Sequence, residues 1–130
     1  MDNTNIDFSN KVILLVEDDD NLANVYQTRL QAEGFKTTRV SNGGDALQAA
    51  LQAKPDLILL DVMMPKVSGF DVLDILRNTP ETAKVKIIML TALSQDSDKE
   101  RAQSLGADDY LVKSQVVIAD VVDRVKAHLS

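Results

Sequence analysis

The apolar run Leu57-Ile58-Leu59-Leu60 ends on an ionisable carboxylate, Asp61, and the earlier run Val12-Ile13-Leu14-Leu15-Val16 ends on two more, Glu17 and Asp18. Burying an unpaired carboxylate costs several kcal/mol, so each run must stop there or meet a compensating charge. Two other side chains follow apolar runs in the same way: Thr91 after Ile87-Ile88-Met89-Leu90, and Lys113 after Tyr110-Leu111-Val112. If these residues meet, carboxylates about 4 Å apart repel by roughly 1 kcal/mol in water and about 4 kcal/mol at a protein-surface dielectric. Lys113 supplies one positive charge. A hard divalent ion supplies more, and one or two carboxylates plus waters is the oxygen-only set that Mg²⁺ prefers. A carboxylate held near Mg²⁺, with a hydroxyl and an ammonium close by, is equipped to attack a phosphoryl group. The product is an aspartyl phosphate.

Convergence requires a fold that brings the ends of these runs together. Three continuous apolar runs suit strands covered on both faces, as in a parallel sheet. The more polar Lys36-Thr37-Thr38-Arg39-Val40 and the short Tyr110-Leu111-Val112 suit edge strands. Between them lie helical segments. Leu22, Val25, Tyr26 and Leu30 share one helix face and Gly34 stops it. GGDALQAALQAK, capped by Ser41-Asn42, reads as a second helix. Phe70, Leu73 and Leu76 space a third, bounded by Pro80. Asp96 to Leu105 is mostly polar with only Ala102 and Leu105 as clear anchors, and Ile118, Val121, Val122, Val125 and Leu129 keep helical spacing to the end. Five strands alternating with five helices predict an α/β, doubly wound, flavodoxin-like parallel sheet of strand order 2-1-3-4-5. Ligands in such sheets bind beyond the carboxyl ends of the strands, where Glu17, Asp18, Asp61, Thr91 and Lys113 all fall.

The 130 residues, 45% hydrophobic, suit one domain with its own core. The absence of cysteine excludes disulfides and thiolate metal sites and fits a reducing cytoplasm. No apolar run is long enough for a membrane span, and the opening MDNTNIDFSN is no secretory signal. A formal charge of -6 opposes direct binding to nucleic acid or anionic membranes. Residues 1–10 are read as a polar tail without an assigned role, and residues 11–130 as the domain, with no output domain attached.

ILLVEDDD, LILLDVMMPKVSGFDVL, IIMLTA and GADDYLVKS occur in this order across almost the whole chain. Together they resemble the motifs of response-regulator receiver domains (CheY-like) from two-component signalling. The resemblance implies that Asp61 accepts a phosphoryl group from a histidine kinase or phosphotransfer protein. It implies Mg²⁺ bound by Asp18 and Asp61 directly, by the backbone carbonyl of Met63 and, through water, by Glu17. Thr91 and Lys113 would contact the phosphoryl group, and Tyr110 would couple it to the face made by the fourth helix, fifth strand and fifth helix. The expected protein is a cytoplasmic, stand-alone switch, monomeric or weakly dimeric when phosphorylated, that binds an unidentified target and turns over no separate substrate. One position departs from the family pattern: Ser114 follows the active-site lysine where proline, joined by a cis bond, is usual. A cis bond before serine costs about 3–4 kcal/mol, so a trans bond, or a cis bond held by strong packing, is expected.

Plainer roles compete at several positions. Asp19 and Asp20 read as caps or first-turn residues of the first helix, Asp108-Asp109 as a polar turn, and His128 as a last-turn residue suited to the helix dipole. Tyr110 suits simple packing as well as a switch, and the polar fourth helix suits either a solvated surface or a movable element. The apolar Met63 and Leu93, two positions beyond Asp61 and Thr91, would hinder an attacking water and slow dephosphorylation. An aspartate-nucleophile phosphohydrolase would need an acid-base Asp where Met63 stands. A flavodoxin-like cofactor binder would need a Gly- or Ser/Thr-rich loop where the acidic run stands, and a pure interaction module would draw support from the Lys113-Ser114 junction.

Overall fold

The structure is a computed structural model that describes residues 7–130. Strands β1 (Val12–Val16), β2 (Lys36–Val40), β3 (Leu57–Leu60), β4 (Lys86–Thr91) and β5 (Asp109–Val112) alternate with helices α1 (Asp20–Ala32), α2 (Ala46–Ala53), α3 (Gly69–Arg77), α4 (Asp96–Ser104) and α5 (Ile118–Leu129). All neighbouring strands pair in parallel, and the sheet order is β2-β1-β3-β4-β5. This is the flavodoxin-like α/β arrangement expected from the sequence.

Alternation along the apolar runs explains why they carry no polar face. Ile13, Leu15, Leu57, Leu59, Ile88, Leu90 and Leu111 point to one side, where Ala23, Tyr26 and Leu30 of α1 and Val121, Val122 and Val125 of α5 cover them. Leu14, Val16, Ile58, Leu60, Ile87 and Met89 point to the other, beneath α2, α3 and Ala102 of α4. A residue period of two therefore loads both layers, and every position of β1 and β3, with Ile87 to Leu90 of β4, is apolar.

Local details depart from the sequence reading in informative ways. Val25 is 50% exposed, and Ala23 takes the core position beside Tyr26 and Leu30. Asn42 does cap the second helical segment, accepting from the Asp45 N–H at 3.0 Å, but the chain first makes a 3₁₀ turn over Gly43–Asp45. Of the expected tail, residues 1–6 lie outside the described residues, whereas Phe8 is buried against Phe35 with ring centroids 5.0 Å apart. Its ring belongs to the core shared by α1 and α5. No described helix is long and apolar enough to cross a membrane.

At the end of the sheet away from the strand carboxyl termini, Arg77 ties several segments together. Its guanidinium donates to the carbonyls of Gly106 (2.9 Å), Ala83 (3.2 Å) and Val85 (2.6 Å) and to the Asp108 carboxylate (2.7 Å). Asp108 also accepts from the Ile87 N–H at 2.8 Å, so it closes the start of β4 rather than merely lining a turn.

Candidate functional site

Hydrogen bonding of the first strand's exit places the first two carboxylates. The Glu17 N–H donates to the Val40 carbonyl at 3.1 Å and so extends the β1–β2 ladder by one residue. Glu17 is 2% exposed. Asp18 follows on the surface, and Asp19 caps α1 by accepting from the Leu22 N–H at 3.0 Å. Asp20 opens that helix, so both residues act where capping chemistry puts them.

At the next strand over, the Asp61 N–H donates to the Val16 carbonyl at 3.1 Å, carrying β3 one step beyond Leu60. Gly69 is what lets the chain fold back so tightly here. A Cβ at that position would stand 2.0 Å from the Asp61 carbonyl oxygen and 2.6 Å from the Val62 Cα, so only glycine fits. Between them Lys66 has φ 71°, at the centre of a three-residue turn closed by the Val67 N–H on the Pro65 carbonyl at 2.8 Å.

The expected convergence occurs. One carboxylate oxygen each from Glu17, Asp18 and Asp61 lie within 4.8 Å of one another. Lys113, at the end of β5, donates to Glu17 Oε1 at 2.6 Å and to Asp61 Oδ2 at 3.1 Å, while the Met63 N–H holds Asp61 Oδ1 at 3.1 Å. The Lys113-Ser114 bond is trans, since no described peptide bond is cis. The ammonium reaches both carboxylates from that backbone.

Burial raises the Glu17 carboxyl above its ordinary value, helped by the like charge of Asp61 and opposed by Lys113. Burial alone would depress the Lys113 ammonium, but the Glu17 and Asp61 carboxylates outweigh it and raise its pKa. One ammonium facing three carboxylates leaves the pocket negatively charged. Its donors are all hard oxygens, the set that suits a small divalent cation rather than a soft metal.

Thr91 is fully buried at the end of β4, and the Leu93 N–H lies 3.4 Å from its hydroxyl. The Leu93 carbonyl accepts from the Tyr110 hydroxyl at 2.9 Å. Leu93 thus joins the two residues expected to act as a switch. Met63 is 55% exposed just beyond Asp61.

Sequence reasoning overlooked Arg39. Its Nε and Nη2 donate to the Glu17 carbonyl at 3.0 and 2.7 Å, and its Nη1 meets Asp20 Oδ1 at 2.9 Å. The available signal was topological: the predicted strand order sets the second strand beside the first, so a lone arginine near its end must neighbour the acidic loop. Asp109, read as part of a turn, instead opens β5 and binds Arg124 (2.9 and 2.8 Å) and His128 (3.0 Å).

Comparison with known proteins adds an independent line. The response regulator receiver domain family matches residues 13–126. The phosphate regulon transcriptional regulatory protein PhoB of Rhizobium meliloti is 40% identical over 117 residues, which are 90% of this chain and 51% of PhoB. The polar-differentiation response regulator DivK of Brucella anthropi is 31% identical over 119 residues, 92% of this chain and 96% of DivK. The BeF3-activated N-terminal receiver domain of Klebsiella pneumoniae RstA superposes with a TM-score of 0.85 at 28% identity, covering 92% of this chain and 98% of that one. The chain therefore spans about half the length of PhoB and nearly all of DivK.

Proposed function

The chain belongs to the response regulator receiver domain family, a signalling domain of two-component systems rather than a conventional enzyme, and from that premise we propose that Asp61 is its phosphoacceptor. The donor is a phosphohistidine on a histidine kinase or phosphotransfer protein, and the reaction depends on Mg²⁺. The observation that carries this reading is the meeting of Glu17, Asp18 and Asp61 oxygens within 4.8 Å, with Lys113 bonded to two of them.

In the transfer, an Asp61 oxygen forms a bond to phosphorus as the bond from phosphorus to the donor's imidazole nitrogen breaks, and that nitrogen keeps the electron pair and takes up a proton. Little covalent work falls to the protein, so positioning and charge dominate. The Met63 N–H and Lys113 fix the two Asp61 oxygens before reaction. Asp18, Asp61 and the Met63 carbonyl, with Glu17 through water, would hold Mg²⁺, which would supply positive charge to the phosphoryl oxygens. Lys113 neutralises a second edge of the group and the Thr91 hydroxyl donates to a third oxygen.

Engaging the Thr91 hydroxyl withdraws it from the Leu93 N–H, a contact already long at 3.4 Å. The loop that moves carries the acceptor of Tyr110, so the tyrosine must find a new rotamer. Phosphorylation thereby shifts a pre-existing equilibrium at the face of α4, β5 and α5, where a target protein binds. The domain works in the cytoplasm, as a monomer or weak phosphorylation-dependent dimer, without touching nucleic acid itself. Met63 and Leu93 shield the acyl phosphate from water, so the adduct outlasts a timescale of seconds.

Incubation with acetyl phosphate or phosphoramidate and Mg²⁺, read by intact mass, tests the proposal. A single phosphoryl adduct that requires Mg²⁺ and disappears in Asp61→Asn is expected. No adduct, or an adduct that survives Asp61→Asn, overturns it, and the first of these outcomes favours a module that only binds partners.

A further inference from the structure

Every polar group of Glu17 is tied down. Its N–H is on Val40, its carboxylate is on Lys113 and the Asp19 N–H, and its carbonyl carries two hydrogen bonds from Arg39. Asp18 stands between this anchored residue and Asp19, which is itself fixed as the cap of α1. The peptide joining Glu17 to Asp18 contains the carbonyl that Arg39 grips, so its plane sets the direction in which Asp18 leaves the chain. The same guanidinium holds Asp20 at 2.9 Å, bracketing the acidic loop from both ends.

We infer that Arg39 is a positioning residue for the cation pocket: its two-pronged grip on the Glu17 carbonyl holds Asp18 toward Glu17 and Asp61 and so sets the affinity of the pocket for Mg²⁺. The inference rests on the proposed Mg²⁺ site and adds a residue from β2 that touches neither cation nor phosphoryl group. Charge and geometry make opposite demands here. As a nearby positive charge, Arg39 repels a cation, so a purely electrostatic role would make its removal tighten Mg²⁺ binding. As a clamp, its removal weakens binding, as loss of a residue supporting metal ligands typically does by 10- to 100-fold. Lysine keeps the charge but lacks the planar fork, so Arg39→Lys isolates the clamp.

Calorimetric titration of the metal-free protein with MgCl₂ decides between these roles. About a tenfold rise in the Mg²⁺ dissociation constant is expected for Arg39→Lys, and at least as much for Arg39→Ala. Unchanged or tighter binding by Arg39→Lys overturns the inference, and this variant decides the matter if Arg39→Ala does not fold. Labelling by acetyl phosphate gives a second readout: the half-saturating Mg²⁺ concentration rises while the rate at saturating Mg²⁺ stays within about twofold. A slower saturating rate with unaltered Mg²⁺ dependence also overturns it. Wild-type protein that takes up no Mg²⁺ would overturn the proposed site together with this inference, whereas wild-type uptake matched by both variants would overturn the role of Arg39 alone.

Discussion

The Lys113 ammonium lies closer to Glu17, at 2.6 Å, than to Asp61, at 3.1 Å. The proposed phosphoacceptor therefore shares its counter-ion with a second buried carboxylate, and the pocket is assembled against its own repulsion. The repulsion of Asp61 from Glu17 and its attraction to Lys113 are each worth about 4 kcal/mol at a protein-surface dielectric and nearly cancel, so replacing it by asparagine mainly relieves the cost of burying a second carboxylate. Asp61→Asn is accordingly expected to be more stable than wild type in Mg²⁺-free buffer, by about 1 kcal/mol, while losing phosphorylation. Urea unfolding measures this directly, and a lowered midpoint would count against it.

Gly69→Ala tests the opposite face of the same residue. The new methyl group would meet the Asp61 carbonyl oxygen at 2.0 Å, and backbone cannot swing aside as a flexible side chain can. Overpacking of this kind costs about 1–3 kcal/mol or more. The variant is expected to lose that much stability and also to bind Mg²⁺ more weakly, because relief comes only by moving Asp61. Retention of both wild-type stability and wild-type Mg²⁺ affinity would show that the turn is looser than its geometry.

Titration of the tyrosines reports on the contact proposed as a switch. Burial, with the charges of Asp98 and Asp61, pushes the Tyr110 hydroxyl up to about 12. A group whose pKa is raised on folding adds stability that is complete below its unfolded value and is lost as pH climbs through the folded one. The window here runs from about pH 10 to 12. Tyrosinate absorbance of the wild type should include a step near pH 12 that is missing in Tyr110→Phe. Ionisation near pH 10 that vanishes in this variant would contradict it.

The Asp109 cluster has the reverse sign. Burial alone would raise this carboxyl, but hydrogen bonds from Arg124 and His128 outweigh it and hold its pKa below 3.8. Its folded form binds a proton less readily than its unfolded form, so stability is present above pH 4 and falls as pH drops through the folded value. Asp109→Asn is expected to cost about 1 kcal/mol or less at neutral pH, since Arg124 is more than half exposed. The gap between variant and wild type should close on acidification toward pH 3. A gap that widens there would reverse the assignment.

Sequence and structure agree best where one physical rule dominates. Val12–Val16 and Leu57–Leu60 have the bounds that their apolar runs suggest, because a strand covered on both faces tolerates nothing else. The trans bond before Ser114 follows from the same sort of one-sided energetics. Val25 and Phe8 went astray for a different reason. An alanine can line a core as well as a valine, and a single phenylalanine in a polar stretch makes no periodic pattern. The acidic pocket was legible because strand ends are shared landmarks in this architecture. Arg39 and Arg77 were not, since each acts on carbonyl groups whose positions come only from the assembled chain.

The anchors of α4 are unevenly distributed along its length. Arg101 lies over the Phe70 ring at 4.3 Å, Ala102 is buried, and Gly106 is gripped by Arg77, whereas Asp96 and Ser97 at the start are exposed. The helix is moored at its far end and loose beside Thr91, like a lever on a fulcrum. Any tug from the rim should therefore tilt it about Gly106, with the largest sweep at Asp96, and amide hydrogen exchange should slow steadily from Asp98 to Leu105.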